Sequence, residues 1–388
     1  MHSPRRVLFV RANSLISDPR VEKEAATLID AGYQVEALGW DRSATYPLRR
    51  VGDINAFGRS IPRMLIGSKG VFGAGVKNLR PMLFFERQLV SYLRRNAAGY
   101  DYVHACDMDT GYAAMLGLRG TDTKLLYDIF DCFSESRSLP ASLKKLARRM
   151  EKRVIEAADA VIICTDDRRQ QIDHANPKNI TVIENIPYAD LLEGAFGSAA
   201  ETEKMPYIVL SYTGSFGGDR YVKELLSVVA SDKSLYLKIA GSGALIREVE
   251  EAAAFCERIR YYGKVSHLEA LEIESSSDVV VACYDPSVPN NVLAAPNKYY
   301  EALMLGIPII STDGTSVGSW VRRFDVGESL PVGFSLEQFG FAIHAVAEKN
   351  ANGEISRRAR GIYESRYKWD EMGRRLTALY SSLGEGIS

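Results

Sequence analysis

Short apolar segments alternate with amphipathic helical segments over most of the chain. Continuous apolar runs of this kind are typical of parallel strands that are buried on both faces of a sheet. With helices between them, they predict an α/β fold with right-handed crossovers. The predicted strands are Arg6–Val10, Tyr33–Gly39, Tyr102–Ala105, Lys124–Tyr127, Ala160–Cys164, Thr181–Glu184, Ile208–Tyr212, Tyr236–Ala240, Ile259–Tyr262, Val279–Cys283 and Pro308–Ser311.

The pattern breaks at residues 188–206, where glycine, serine and acidic residues are frequent. A length of 388 residues corresponds to about two domains at roughly 150 residues each. We therefore predict two Rossmann-like domains, with the boundary between residues 190 and 191. Such domains bind ligands at the carboxyl ends of their strands, so two opposed domains would place a ligand in a central cleft.

Charge is unevenly distributed between the two halves. Residues 1–190 contain 28 Lys and Arg against 23 Asp and Glu, whereas residues 191–388 contain 20 against 26. The overall net charge of −1 argues against a dedicated nucleic-acid-binding protein, which would carry a basic excess. No apolar run approaches the ~20 residues that span a bilayer. Five scattered cysteines do not form a disulfide framework, so we expect a cytoplasmic protein.

One helix of the second half combines clear boundaries with charged residues. Pro296 is placed to begin this helix and Gly306 to end it. Lys298 lies in the first turn, where a cation opposes the helix dipole unless an anion lies in front of the helix. Asn297 and Glu301 share a face one turn apart, so the Glu301 carboxylate can accept hydrogen bonds from ribose hydroxyls. An ordinary amphipathic helix with solvated charges explains the same spacing.

A glycine-rich turn follows the predicted strand at residues 208–212. Gly214 allows close approach of a ligand to the backbone, and Ser215 follows it. Arg220 can bind a phosphate with two hydrogen bonds, and Lys223 adds a point charge. The spacing matches neither a P-loop nor the dinucleotide-binding fingerprint, so an ordinary βα turn remains the alternative. Two more glycines, at the ends of later strands, are weak signals singly and stronger as a set: Gly241 and Gly263.

The first half offers His104, Asp107 and Asp109 directly after a predicted strand. A lone histidine is most often a buried core residue, and the two aspartates lack the further ligands that a metal site needs. We therefore expect no metal site here. The first strand has no glycine-rich nucleotide turn, which argues against a nicotinamide enzyme.

Several of these motifs together resemble a known family. Asp18-Pro19-Arg20-Val21, the stretch from Tyr102 to Thr110, and Pro296-Asn297-Lys298 with Glu301, Gly306 and Pro308 resemble the GT-B-fold glycosyltransferases, in particular the retaining glycosyltransferase family 4. The resemblance runs essentially end to end. It implies two Rossmann-like domains facing a central cleft, residues 1–190 and 191–365, with a C-terminal helix, residues 366–388, that returns to the first domain.

The resemblance also implies roles for individual residues. A nucleoside-diphosphate sugar would bind the second domain as co-substrate, without any other cofactor, and a glycan or lipid-linked acceptor would bind the first. The implied donor-binding residues are Gly214, Ser215, Arg220, Lys223, Gly241, Gly263, Asn297, Lys298 and Glu301. The implied residues on the sugar and acceptor side are His104, Asp107 and Asp131.

The chain departs from the family pattern at several positions. Leu293 stands where the family often has a second glutamate, so Asn290, Asn291 or backbone amides are expected to recognise the sugar instead. Ser215 replaces a common arginine, and Phe130 replaces a histidine that faces the sugar. These losses keep a non-catalytic interpretation open.

We therefore expect a glycosyltransferase that retains the sugar's configuration and acts in surface polysaccharide assembly. Two alternatives remain open: a non-catalytic subunit that binds a sugar nucleotide, and another GT-B-fold enzyme such as a sugar-nucleotide epimerase.

The segment Leu143–Val154 predicts a basic amphipathic helix. Its apolar side chains fall on one narrow face, with six cations opposite. Such a helix can lie on an anionic membrane surface, on the inner face of the cell membrane. Packing of the apolar stripe on the first domain's sheet, with solvated cations, is the alternative.

Overall fold

The chain forms two compact units. The structure is a computed structural model that describes residues 4–16, 18–71, 78–133, 141–188 and 206–385, so most of the interrupted segment at 188–206 lies outside the described residues. Unit 1 consists of Met1–Glu184 and Asp370–Ser388, and unit 2 of Asn185–Trp369. The division falls before the predicted boundary at 190/191, because Glu184 N–H still contacts Met372 Sδ of unit 1, at 3.2 Å, whereas the Asn185 side chain binds unit 2. The chain returns to unit 1 at Asp370, four residues after the predicted position 366.

Unit 1 is built on a sheet of eight strands in the order β3-β4-β2-β1-β5-β6-β7-β8. All neighbours are parallel except β3 and β4. The strands are Arg6–Arg11 (β1), Gln34–Asp41 (β2), Tyr46–Ala56 (β3), Arg59–Gly67 (β4), Tyr102–Cys106 (β5), Lys124–Ile129 (β6), Ala160–Ile163 (β7) and Ile180–Val182 (β8).

The hairpin of β3 and β4 was not among the predicted strands. Its burial alternates irregularly and one strand is largely exposed, so its sequence lacks the continuous apolar run of a buried parallel strand. Phe57 and Gly58 form the turn with φ of 49° and 80°. Positive φ at both central residues is the geometry of a tight hairpin turn, and Gly58 was the one local signal for it.

The helices of unit 1 are Pro19–Asp30 (α1), Leu79–Asn96 (α2), Met108–Gly117 (α3), Ala141–Ala157 (α4) and Trp369–Gly384 (α13), whose first residue belongs to unit 2. The predicted cap of α1 is confirmed, since the Asp18 carboxylate accepts a hydrogen bond from Val21 N–H and Pro19 is the first helical residue. Helices α2, α3 and α4 contribute to one apolar cluster with β-strand residues such as Val103 and Ala105. Alternate residues on β5, such as His104, point instead toward α13.

Unit 2 is built on a sheet of six parallel strands in the order β11-β10-β9-β12-β13-β14. The strands are Ile208–Ser215 (β9), Leu235–Ser242 (β10), Ile259–Tyr261 (β11), Val279–Val281 (β12), Ile309–Thr312 (β13) and Gly327–Leu330 (β14). Only β14 was missed, because its short sequence Gly-Glu-Ser-Leu has no apolar run. The helices are Val222–Ser231 (α5), Ile246–Phe255 (α6), His267–Ser275 (α7), Pro289–Val292 (α8), Asn297–Leu305 (α9), Ser316–Phe324 (α10), Leu336–Lys349 (α11) and Glu354–Arg366 (α12).

The predicted α/β architecture with two Rossmann-like sheets is therefore confirmed. In each unit the central parallel strands are buried on both faces, as expected for parallel strands covered by helices. Among the described helices, none combines the length and the apolar character that crossing a bilayer requires.

Candidate functional site

The charged helix of unit 2 begins and ends as the sequence indicates. Pro296 is the N-cap of α9, and Gly306 ends the helix in the left-handed conformation at φ 71°. A Cβ at Gly306 would lie 2.9 Å from the Arg360 side chain, so only glycine fits there. Helix α9 is consequently anchored at its end, and its first turn is placed beside the carboxyl ends of the strands.

Lys298 is a buried cation that contacts aromatic rings. Its side chain is 8% exposed, and Nζ lies 3.6 Å above the ring of Tyr212 and 5.9 Å from the ring of Tyr284. Burial, reinforced by the charge of Arg220, lowers the pKa of Lys298 to about 8. Among the described residues it forms no ion pair, so its charge is available to an incoming anion.

Arg220 contacts Tyr284, one of the two aromatic rings near Lys298. Its guanidinium carbon is 4.5 Å from the centre of the Tyr284 ring, and NH1 donates a hydrogen bond of 2.7 Å to Asn291 Oδ1. Asn291 also donates to Asp219, so the amide fixes the position of the guanidinium. The structure thus brings Arg220 and Lys298 together around Tyr284. Two adjacent cations, one a planar fork and one a point charge, suit a diphosphate.

Glu301 lies one turn into α9 and is 5% exposed. His267 Nε2 is 2.7 Å from its Oε1. Close to it, the carboxyl of Glu274 accepts a hydrogen bond from the Thr213 hydroxyl, while its second oxygen has no hydrogen-bond partner within the described part of the chain. Burial, together with the charge of Glu301, raises the pKa of Glu274 well above its usual range.

Three of the predicted glycines form a row at the end of the sheet. Gly241 pairs with Gly214 across β10 and β9, and its N–H donates to Gly263 O at 2.8 Å. A Cβ at Gly241 would lie 1.8 Å from Gly214 O, so this glycine is required by the close approach of the strands. A Cβ added at Gly214 or Gly263 would meet no described atom within 4 Å, which leaves room beside their backbone. Ser215 is exposed next to Gly214.

The remaining donor-side predictions have different outcomes. Asn297 Oδ1 accepts a hydrogen bond of 2.5 Å from Asn185 Nδ2, which ties the start of unit 2 to the first turn of α9. Lys223 does not join Arg220 and Lys298: its ammonium lies 3.1 Å from Glu248 on α6 in an exposed ion pair. The reason is that Lys223 lies on α5, and its side chain extends toward Glu248 of α6.

In unit 1, His104 is part of a closed network and has no exposed surface. Its Nδ1 is 2.8 Å from the Tyr380 hydroxyl, and its ring stacks on Phe9 at 4.4 Å. Its Nε2 lies 3.4 Å from Glu24 and 3.5 Å from Asp128. A residue so enclosed cannot touch a sugar, so the expectation that His104 lines the ligand is corrected: it joins β5 to α13 and α1.

Arg20 is the cation of this network. Its Nε and NH2 each donate a 2.9 Å hydrogen bond to Asp128, and Nε lies 3.2 Å from Glu24. Burial opposes ionisation of Asp128, yet the adjacent guanidinium outweighs it and holds the pKa of Asp128 below its usual range. Burial, together with the charge of Asp128, raises the pKa of Glu24 well above its usual range. By distance alone, Glu24, His104 and Asp128 could hold a metal ion, but the guanidinium occupies that place.

Asp107 organises the loops at the carboxyl end of the sheet. It adopts φ 63° as the N-cap of α3, a strained conformation for a residue with a side chain. Its carboxylate accepts hydrogen bonds from Arg11 and from the backbone N–H groups of Phe130, at 2.9 Å, and Asp131, at 3.2 Å. Burial raises the pKa of Asp107 to about 6, against the effect of Arg11. Its side chain retains 20% exposure.

Phe130 and Asp131 follow β6 at the same edge. The Phe130 ring lies 4.1 Å from the guanidinium carbon of Arg11 and 4.9 Å from that of Arg20. Two cations thus contact the phenylalanine that stands where the family often has a histidine. Asp131 is 55% exposed and lies 3.4 Å from Arg168. Of the three predicted acceptor-side residues, Asp131 is therefore the most accessible.

Several side chains of these clusters were missing from the sequence interpretation. In unit 2 they are Tyr212, Tyr284, Asn291 as the partner of Arg220, His267 and Glu274; in unit 1 they are Arg11, Arg20, Asp128 and Arg168. Tyr212 precedes the glycine turn directly, which was a usable signal. The others are brought together by pairings between distant strands, and no local pattern marks them.

The chain is similar to known glycosyltransferases in sequence and in fold. Residues 20–186 match the model of Glycosyltransferase Family 4. The glycosyltransferase YqgM of Bacillus subtilis (strain 168) is 30% identical over 173 residues, which are 43% of this chain and 46% of that protein. The alignment thus spans less than half the length of that relative.

Solved structures resemble the chain over nearly its whole length. Sucrose-phosphate synthase of Thermosynechococcus elongatus has a TM-score of 0.74 at 15% identity, over 98% of this chain and 99% of that one. HepE of Anabaena, in complex with UDP-glucose, has a TM-score of 0.69 at 16% identity, over 97% and 99%. WaaG, a glycosyltransferase involved in lipopolysaccharide biosynthesis, has 0.65 at 14%, over 96% and 99%. The chain therefore has the GT-B fold, and its residues 20–186 match Glycosyltransferase Family 4.

Proposed function

We propose that the protein is a glycosyltransferase that moves a sugar, with retention of configuration, from a nucleoside-diphosphate sugar to a glycan or lipid-linked glycan. The observation that carries the proposal is the pair of cations Arg220 and Lys298 around Tyr284, beside the backbone of Gly214. Within the described part of the chain, Lys298 forms no ion pair, and Arg220 forms one, with the partly exposed Asp219 at 3.5 Å. A diphosphate supplies the missing negative charge.

The ribose would lie on Glu301. Its Oε1 already contacts His267, so the imidazole holds the carboxylate in one orientation. The carboxylate can then accept hydrogen bonds from two hydroxyls of one ribose. Hydrogen bonds to a charged acceptor are stronger than hydrogen bonds to a neutral one. The occurrence of UDP-glucose in HepE of Anabaena makes uridine nucleotides the first donors to test.

Catalysis would be mainly electrostatic. As the bond between the sugar and the diphosphate breaks, negative charge develops on the leaving phosphate, where Arg220, Lys298 and the N-terminus of α9 stabilise it. Because these groups supply positive charge from the protein itself, we expect transfer to persist after chelation of divalent ions. On the acceptor side, the side chain of Asp107 is 20% exposed and that of Asp131 is 55% exposed.

The proposal is tested by incubating the protein with a panel of nucleoside-diphosphate sugars and glycan acceptors. Transfer is followed by release of the nucleoside diphosphate, and the anomeric configuration of the product is read by proton NMR. Product with the donor's configuration supports retention. An inverted product would contradict the proposed stereochemistry, and consumption of donor with release of an isomerised sugar nucleotide would identify an epimerase.

A second candidate, a non-catalytic sugar-nucleotide-binding subunit, is favoured by one observation. His104 is completely buried and Phe130 replaces a histidine, so two positions expected to face the sugar carry structural side chains. Donor binding without turnover on a broad acceptor panel would support this candidate.

A further inference from the structure

Helices α2 and α4 of unit 1 carry exposed cations. Helix α3 contacts both α2 and α4, and all three pack on one apolar cluster on the same side of the sheet. The sequence pattern indicated α4 alone, and the structure adds a second basic helix beside α3. We call the outward sides of α2 and α4 the basic face. Its exposed cations are Arg80, Arg87, Arg94 and Arg95 on α2 and Lys145, Arg148, Arg149 and Arg153 on α4.

Most of this charge is not neutralised. Arg148 lies 3.4 Å from Asp173, in a pair that is exposed on both sides. Within the described parts of the chain, the other cations of the basic face form no ion pair with a carboxylate. Helix α2 contains one acidic residue, Glu86, and burial together with the charge of Asp109 raises the pKa of Glu86 to about 7. The basic face therefore presents a positive field that the protein leaves uncompensated.

Large apolar side chains are exposed among the cations. The predicted apolar stripe of α4 is buried at Ala147 and Val154, which pack inward. Toward the start of α4 the apolar side chains are exposed, and apolar side chains near the start of α2 are exposed as well. The exposed side chains are Leu143 at 46% and Leu146 at 52% on α4, and Leu79 at 48%, Leu83 at 42% and Phe84 at 36% on α2.

A groove of about 620 Å³ continues this surface between α2 and α3. The groove is lined by the apolar side chains of Leu83, Val90 and Leu116, by Arg87 and Arg94, and by Glu86. Apolar side chains beside arginines match an amphiphile that has a phosphate headgroup. RNA would use the cations and leave the leucines without a partner.

We propose that the basic face docks on the surface of an anionic lipid bilayer, with its cations against the headgroup phosphates and its exposed Leu and Phe side chains in the interfacial layer. A helix with apolar and cationic sides lies in this manner at the boundary of headgroups and acyl chains. Each cation near such a surface strengthens binding about five-fold. The two helices together supply more cations than α4 alone, so docking is expected to involve both.

The test is co-sedimentation of the full chain with vesicles of phosphatidylcholine or of phosphatidylcholine mixed with phosphatidylglycerol, without any sugar nucleotide. We expect binding to the anionic vesicles only, and loss of binding at high salt. A variant with R87Q, R94Q, K145Q and R149Q should bind at least a hundred-fold more weakly. Because all four side chains are exposed, the variant should unfold at the same temperature as the wild type.

The matched control removes four exposed cations from unit 2: K233Q, R247Q, R323Q and K368Q. It changes the net charge equally, and we expect it to bind like the wild type. Equal binding of wild type and the basic-face variant would overturn the proposal, as would an equal loss in the control. Binding of single-stranded RNA without binding to vesicles would also overturn it. Since no donor is present, these results do not depend on the proposed transferase activity.

Discussion

Each unit holds a cluster of charged side chains at its sheet, but the two clusters are neutralised differently. In unit 1, Arg20 has Asp128 and Glu24 within 3.2 Å, and the cluster is fully buried. In unit 2, Lys298 forms no ion pair with a described residue, and Arg220, which lies over the ring of Tyr284, has only the partly exposed Asp219 at 3.5 Å. The difference indicates which cluster is structural and which binds a ligand: a cation that is already paired stabilises the fold, whereas a cation held by rings and an amide can accept an anion.

The largest expected effect comes from breaking the paired cluster. Arg20→Ala removes the partner of two buried carboxyl groups and should lower the free energy of unfolding by about 3–5 kcal/mol, because a buried charge is left without compensation. Urea denaturation measures this loss. The control is Arg148→Ala, whose exposed pair with Asp173 should contribute about 1 kcal/mol or less. Equal losses in the two variants would show that the buried network does not stabilise unit 1.

The next largest effect is expected on donor binding, from the cluster of charged side chains in unit 2. Glu301→Ala removes a charged hydrogen-bond acceptor and should weaken donor binding by about 1.5–3 kcal/mol. Isothermal titration calorimetry with UDP-glucose measures the change. Glu272→Ala, an exposed carboxylate on α7, is the matched control and should leave the affinity unchanged. If Glu301→Ala binds the donor like the wild type, Glu301 is not part of the site.

A smaller effect is expected in the pH dependence of diphosphate binding to unit 2. The pKa of Lys298 is about 8 in the absence of ligand, so Lys298 is charged below that pH and loses its charge as the pH rises through 8. Affinity for a diphosphate should therefore fall above pH 8, by up to about ten-fold per unit. The measurement is the dissociation constant of UDP from pH 7 upward, above the second phosphate ionisation near 6. Lys298→Arg keeps the charge and should flatten the profile; a flat profile in the wild type would contradict the role of Lys298.

The two units also differ in how far the sequence predicted them. In unit 2, Pro296, Lys298, Glu301 and Gly306 lie within three turns of one helix, so their spacing alone placed them correctly relative to one another. The placement of Lys298 close to Arg220 depends on Tyr284 and Asn291, which come from other parts of the chain. No local pattern predicts that placement.

In unit 1, the family resemblance implied a sugar-side role for His104, whereas the residue pattern alone indicated the buried core histidine that the structure shows. The histidine follows a strand, as ligand-binding residues often do, but its enclosure depends on Glu24, Asp128 and Tyr380, which are far away in the sequence. Similarly, the parallel strands were predicted from their apolar runs, whereas the β3–β4 hairpin was missed because one of its strands is mostly exposed. Contacts between distant segments decided both outcomes.

Arg220 is the residue on which the proposed diphosphate site of unit 2 depends most. The most direct measurement is calorimetric titration of wild type, Arg220→Ala and Lys223→Ala with UDP and with uridine. We predict that Arg220→Ala weakens UDP binding by about 1.5–3 kcal/mol and leaves uridine binding unchanged, because the guanidinium acts on the phosphates alone. Lys223→Ala, which loses only an exposed pair with Glu248, should bind both ligands like the wild type. Equal losses of UDP and uridine in Arg220→Ala would contradict the account and make Arg220 a structural residue.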